Sequence, residues 1–189
     1  MSSSNFFRPI DISLSHLSFD EDIESSSIVA YLLTIDQDVG DTHSYEFVSG
    51  TGDTDNDLFS INGNQLIINQ SPDYETQNTY NIRIKTIDSG GLSYEEAVII
   101  NVNDINNVAT DISLLNSSFN ENISSGSYTT LSSTDEDSSD THIYSLVSGT
   151  GDTHNSLFTI DGNELIINQS PDYETQSNYS IRIRTTDSA

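Results

Sequence analysis

The chain has 189 residues, with 30 acidic side chains against five basic ones, a net charge of −25, and neither cysteine nor tryptophan. Such a charge excludes nucleic acid as a partner, because phosphate has to be neutralised by Lys and Arg. The lack of cysteine excludes disulfides and thiolate metal sites. No apolar run approaches the ~20 residues of a membrane helix, so no membrane span is expected.

The start, "MSSSNFFRPI", has no apolar h-region and does not read as a signal peptide. Two expectations follow: a cytosolic protein, or an internal piece of a larger one whose export signal lies elsewhere. Residues 1–9 read as an N-terminal tail. "DISL" from Asp11 opens a series of short strand candidates, followed by "SSIVAYLLTI", "HSYEFVSG", "LFSI" and "QLIINQ", with Gly, Asn and Asp turns between them. In "YNIRIKT" the residues Tyr80, Ile82 and Ile84 alternate with Asn81, Arg83 and Lys85, the mark of a half-buried strand. "SSIVAYLLTI" and "EEAVIINVN" read as more fully buried strands.

From Asp111 the same series begins again. "DISL" recurs there, "VSGTGDT" recurs at Val147, and "GNQLIINQSPDYETQ" from Gly63 returns as "GNELIINQSPDYETQ" from Gly162. One deletion near Ser132–Asp135 relates the copies, and a unit of this length is a domain rather than a solenoid repeat. Seven short strands per unit, without a helical segment, predict an all-β protein of two tandem Greek-key β-sandwiches. The first copy continues past "KTIDSGG" into "LSYEEAVIINVND"; the second has only "RTTDSA" there, so it is expected to lack its final strand, leaving an edge and part of the core uncovered.

The acids are placed in pairs. In an extended segment residues two apart point the same way, so Asp73 with Glu75, Asp36 with Asp38, and Asp135 with Asp137 each direct two carboxylates to one side. Like charges side by side call for a counterion. Oxygen ligands without cysteine suit calcium, which takes six to eight oxygens, rather than zinc.

These motifs, in this order, resemble the cadherin repeat, in the bacterial cadherin-like version found in tandem in large surface and secreted proteins. The resemblance rests on Glu21 and Glu121 after the first strand, on "DQD" at Asp36 and "DED" at Asp135, and on "DYE" at Asp73 and Asp172. A late Asp at Asp88 or Asp187 and the linker "DINN" from Asp104 complete it. It implies repeat 1 over 10–103, a calcium-binding linker over 104–109 and repeat 2 over 110–189. It further implies a junction set of Glu21, Asp73, Glu75, Asp104, Asn106, Asp135, Asp137 and Asp187 around two to three calcium ions. Weaker half-sites are implied at Asp36, Asp38 and Asp88 and at Glu121, Asp172 and Glu174. Asn107 stands where the family has an acid, and Val108 and Ala109 replace its polar–Pro step, which favours two ions over three.

The function implied is a calcium-stiffened structural or adhesive module, extracellular or at the cell surface. Its partners would be neighbouring repeats of the same parent protein, with homophilic or glycan contacts. The alternative is a carbohydrate-binding module of a larger polysaccharide-active protein, against which the absence of Trp counts. An enzyme is not expected: no nucleophile–base pair, phosphate loop or cofactor motif is present, and the carboxylate pairs lie in charge-dense places without an apolar pocket. "DTDND" at Asp53 fails as an EF-hand loop and reads as a turn. His43 and His142 are expected to serve the loops beside "DQD" and "DED", and Tyr74 and Tyr173 to pack against their sandwiches.

Overall fold

The computed structural model describes residues 7–188; residues 1–6, most of the segment expected to be a tail, and Ala189 lie outside the described residues. The chain divides into two compact units, 1–105 and 106–189.

Unit 1 is a sandwich of two four-stranded sheets. One contains β1 (Asp11–Leu14), β3 (Ile28–Ile35), β6 (Gln65–Ile68) and β5 (Phe59–Asn62), in the order β1-β3-β6-β5. The other contains β2 (Ser18–Asp20), β8 (Ser93–Asn103), β7 (Thr79–Asp88) and β4 (His43–Phe47), in the order β2-β8-β7-β4. All pairings are antiparallel except β2 with β8, which is parallel. The period-two alternation turns Tyr80, Ile82, Ile84 and Thr86 of β7 inward, where all four are buried. They meet Leu32 and Leu66 of the facing sheet and Ile100 and Val102 of β8 in one apolar core. Phe59 meets Tyr80 edge-on at 5.3 Å, and Phe19 of β2 stacks on Tyr80 at 6.0 Å.

Two expectations are corrected. β3 and β8 are buried on one face only, with Tyr31, Leu33, Ile35 and Ile99 exposed on the other. Both are two-faced strands of a sandwich, and their apolar outward residues imitate the run of a fully buried strand. β2 carries no sequence signal of its own: only Phe19 in its three residues is apolar and buried.

Unit 2 repeats the first sheet as β9 (Asp111–Leu114), β10 (Gly126–Thr134), β13 (Glu164–Ile167) and β12 (Phe158–Asp161), in the order β9-β10-β13-β12. Its second sheet has two strands, β11 (Ile143–Leu146) paired with β14 (Ile183–Thr186). Among the described residues β14 has no neighbour on the side where β8 lies beside β7, so the final strand is missing as expected. Among the described residues no strand corresponds to β2 in unit 2. "DTDND" and "DTHNS" form turns leading into short 3-10 segments, Asn56–Leu58 and Asn155–Leu157.

Candidate metal centres

Among the described residues, three groups of carboxylates converge within single units. In each, three acidic side chains offer oxygens within 4.8 Å of one another.

The first is Glu21 with Asp73 and Glu75. Glu21 follows β2 directly and is 3% exposed. Its Oε2 accepts the backbone N–H of Tyr74 at 2.8 Å and its Oε1 that of Ile105 at 2.7 Å. One carboxylate thus ties the "PDYE" turn to the end of the unit. Asp73 accepts the hydroxyl of Thr76 at 2.7 Å and its N–H at 2.9 Å, and these two bonds, hydroxyl first, hold its carboxyl below the usual range. The "SPDYETQ" sequence is therefore a self-capped turn that fixes where its acids point.

The second group is Asp36, Asp41 and Asp88. Asp36 directly follows β3, and its Oδ1 accepts the N–H of Asp38 at 3.0 Å while Oδ2 faces His43 Nε2 at 3.1 Å. These bonds, the backbone one first, draw its carboxyl down. Asp88, at the end of β7, is 6% exposed, and its Oδ1 accepts Leu92 N–H at 2.8 Å. Asp88 Oδ2 and Asp41 Oδ2 are buried without a hydrogen-bond partner. Asp38, expected here from the sequence, is not part of this group; its Oδ2 accepts the N–H of Phe7 at 2.6 Å. Asp41 takes the place in the cluster, a residue that no motif singled out. Its signal was present in the repeat: "GDTH" and "SDTH" keep an acid at Asp41 and Asp140.

Unit 2 has the same two arrangements in modified form. Glu121, Asp172 and Glu174 converge, but all three are exposed, and Glu121 accepts a single N–H, from Tyr173 at 3.2 Å. Asp172 is capped by Thr175 like its counterpart, again with a lowered carboxyl, the hydroxyl bond first among the causes. At the other end Asp135 faces His142 at 2.8 Å, and Asp137, itself buried, accepts the N–H of Asn107. Asp140 Oδ2 is buried and unpartnered; loss of water and then the charges of Asp137, Asp135 and Asp187 push its carboxyl up. The two histidines thus serve their loops as expected. Tyr74 packs against the core of unit 1, whereas Tyr173 is 65% exposed, contrary to expectation. Asp104 and Asn106 are exposed residues beyond β8.

A hard divalent cation fits the second group on the chemistry of its donors. They are all oxygens, and two of them are buried without a hydrogen-bond donor.

No protein-family model and no curated protein matches the chain. Solved structures do. "Human Protocadherin-24 EC1-2 Form II" aligns with a TM-score of 0.66 at 20% identity, covering 93% of this chain and 87% of that one. "Protocadherin Gamma B7 extracellular cadherin domains 1-4" aligns with a TM-score of 0.56 at 23% identity, over 96% of this chain and 48% of that one, so the chain spans about half its length. At these identities the likeness establishes architecture, and the architecture is the cadherin-like β-sandwich.

Proposed function

We propose that the chain is a calcium-binding structural module of an extracellular adhesive protein. The observation that carries this reading is Asp88: a carboxylate 6% exposed, with one oxygen lacking any donor, set among Asp36 and Asp41. Self-repulsion of this kind is relieved by a divalent cation, and the oxygen-only donor set selects calcium over a softer metal.

Glu21, Asp73 and Glu75 from repeat 1, Asp104 and Asn106 from the linker, and Asp135, Asp137 and Asp187 from repeat 2 hold calcium at the junction in this reading. Seven of these eight residues are carboxylates, and two to three divalent ions nearly balance them. With the ions bound, the linker stiffens; without them, the acids repel and it flexes. Glu21 is suited to this, because backbone N–H groups orient both of its oxygens and still leave lone pairs for an ion. The cadherin-like fold supports neighbouring repeats and homophilic contact as partners, and an exported location.

Calorimetric titration of the chelated protein with calcium, and separately with magnesium, tests the reading. Binding that saturates with calcium at millimolar concentration, accompanied by a higher melting temperature, is expected. No heat and an unchanged melting temperature would overturn it.

A further inference from the structure

One sheet face sets the two units apart. On β3 the inward residues Val29, Ala30 and Leu32 join the core, while Ile28, Tyr31, Leu33 and Ile35 point outward, each 45–53% exposed. Ile67, in register with Ile28, continues this stripe onto β6. Of the outward positions of β1, β3, β6 and β5, Asp11 alone is charged, and it lies at the end of the stripe, opposite Ile35. Unit 2 is polar at the same places. Ser127, Thr130, Ser132 and Thr134 of β10 stand in the register positions of Ile28, Tyr31, Leu33 and Ile35. Its outward positions include three acids, Asp111, Asp161 and Glu164, and one apolar residue, Ile166. The fold therefore does not require the apolar face that unit 1 carries.

Size and charge indicate what covers it. β3 has eight residues, so at ~3.4 Å each the stripe is roughly 27 Å long, and three strands ~4.8 Å apart make it about 14 Å wide. The resulting area, roughly 400 Å², lies within the ~300–600 Å² of the largest apolar patches on monomers, which are often functional. Two chains of net charge −25 repel, and they approach at least cost where each presents a single acid. The four strands hold no base on this side, so nothing on the face selects a charged partner. The stripe is also complementary to itself. A two-fold axis between Tyr31 and Leu33 lays Tyr31 on Leu33 of a second copy and Ile28 toward its Ile35. The two Asp11 side chains then fall at opposite ends of the contact.

We propose that the outward face of the β1-β3-β6-β5 sheet in unit 1 is a self-association surface, covered by the same face of a second copy of this chain. Two faces of this size hide roughly 800 Å² together, below the ~1,200 Å² at which stable complexes begin, so the dimer is weak and reversible. The proposal gives a place to the homophilic contact of the adhesive reading and rests on that reading for its use. None of the proposed calcium ligands lies on the face.

Sedimentation equilibrium of the full chain up to millimolar concentration, in chelator and in calcium, is the test. A reversible monomer–dimer equilibrium is expected in both. Its association constant should rise several-fold between ~0.05 and ~0.5 M salt, because salt screens the repulsion between copies. The triple variant Tyr31→Thr, Leu33→Ser, Ile35→Thr gives unit 1 the residues of unit 2 and should weaken association at least ten-fold with an unchanged circular dichroism spectrum. The single variant Leu33→Asp should do the same by placing an unpaired charge in the apolar contact, and it serves if the triple variant unfolds. Ile99→Ser, which removes an exposed apolar residue from the other sheet, should leave association unchanged. A chain monomeric at every concentration, its face then left to a different protein, would overturn the proposal. A dimer as strong in the Leu33 variants as in the parent would overturn it too, since the contact would lie elsewhere. Calcium binding without a dimer removes this surface alone, and a dimer in a chain that takes up no calcium removes the calcium reading alone.

Discussion

Ile82 and Ile181 occupy the same place in two copies of one sequence, yet the first is fully buried and the second is not. A shared sequence with different burial isolates the contribution of packing. Ile82→Ala removes side-chain volume from a closed core and should destabilise unit 1 by about 2–5 kcal/mol. Ile181→Ala removes the same atoms from a half-open site and should cost unit 2 roughly 1 kcal/mol. Urea denaturation with hydrogen exchange read separately over each unit measures both; equal losses would show that unit 2 is closed in solution.

Glu21 and Glu121 form a second such pair. Glu21 satisfies two backbone N–H groups from a buried position, whereas Glu121 is exposed and satisfies one. Removing a buried acceptor leaves each donor to bear its own desolvation, about 1–3 kcal/mol apiece. Glu21→Ala should therefore destabilise unit 1 by about 2–4 kcal/mol and accelerate exchange at Tyr74 and Ile105, and Glu121→Ala should shift unit 2 by under about 1 kcal/mol. Matching effects at the two positions would show that burial does not set the value of this carboxylate.

How far the sequence could be read follows from which signals are local. The alternation in "YNIRIKT" is local, and β7 follows it residue by residue. The self-capped "SPDYETQ" turn is equally local, which is why Asp73, Glu75, Asp172 and Glu174 were legible as directed acids. β2 was not legible, because a strand of three residues is defined by pairing with β8, far away in the chain. Asp41 was missed for a similar reason. Its separation from Asp36 has no strand period, and only the turn after β3 brings it back toward Asp88. Asp38 lies two residues from Asp36, as the extended-strand argument requires, yet the strand ends at Ile35 and the argument fails where the turn begins.

Glu96 offers a test by pH. It faces inward from β8, accepts the N–H of Ile12 at 3.3 Å, and has its carboxyl raised by burial first and then by the nearby charge of Asp11. An acid whose folded pKa is raised contributes stability below its unfolded pKa, and that contribution is lost as pH rises through the folded value. Glu96→Gln keeps an acceptor for Ile12 and removes the charge. Above the carboxylate range it should stabilise unit 1 by about 0.5 kcal/mol after solvent screening, with no gain in strong acid. A melting-temperature series across acidic and neutral pH in chelator measures this; an equal change at every pH would assign the effect to packing instead.

Asp140 joins the electrostatic and metal readings. Its carboxyl is pushed up by desolvation and by Asp137, Asp135 and Asp187, and one of its oxygens lacks a donor. By the same sign rule, unit 2 without calcium should lose stability as pH rises from the ordinary carboxylate range, near 4, toward neutrality. Asp140→Asn removes the charge while keeping a carbonyl oxygen. In chelator at neutral pH it should raise the melting temperature of unit 2 and flatten the decline between acidic and neutral conditions. In calcium the order should reverse, because a negative charge beside the proposed ligands Asp135, Asp137 and Asp187 has been lost, so the stabilisation produced by the ion shrinks. Calorimetric scans of parent and variant, each with chelator and with calcium, give the four melting temperatures needed. If the variant melts lower in chelator and responds to calcium as the parent does, Asp140 is a structural turn residue, and the cation sites have to be sought among the remaining acids.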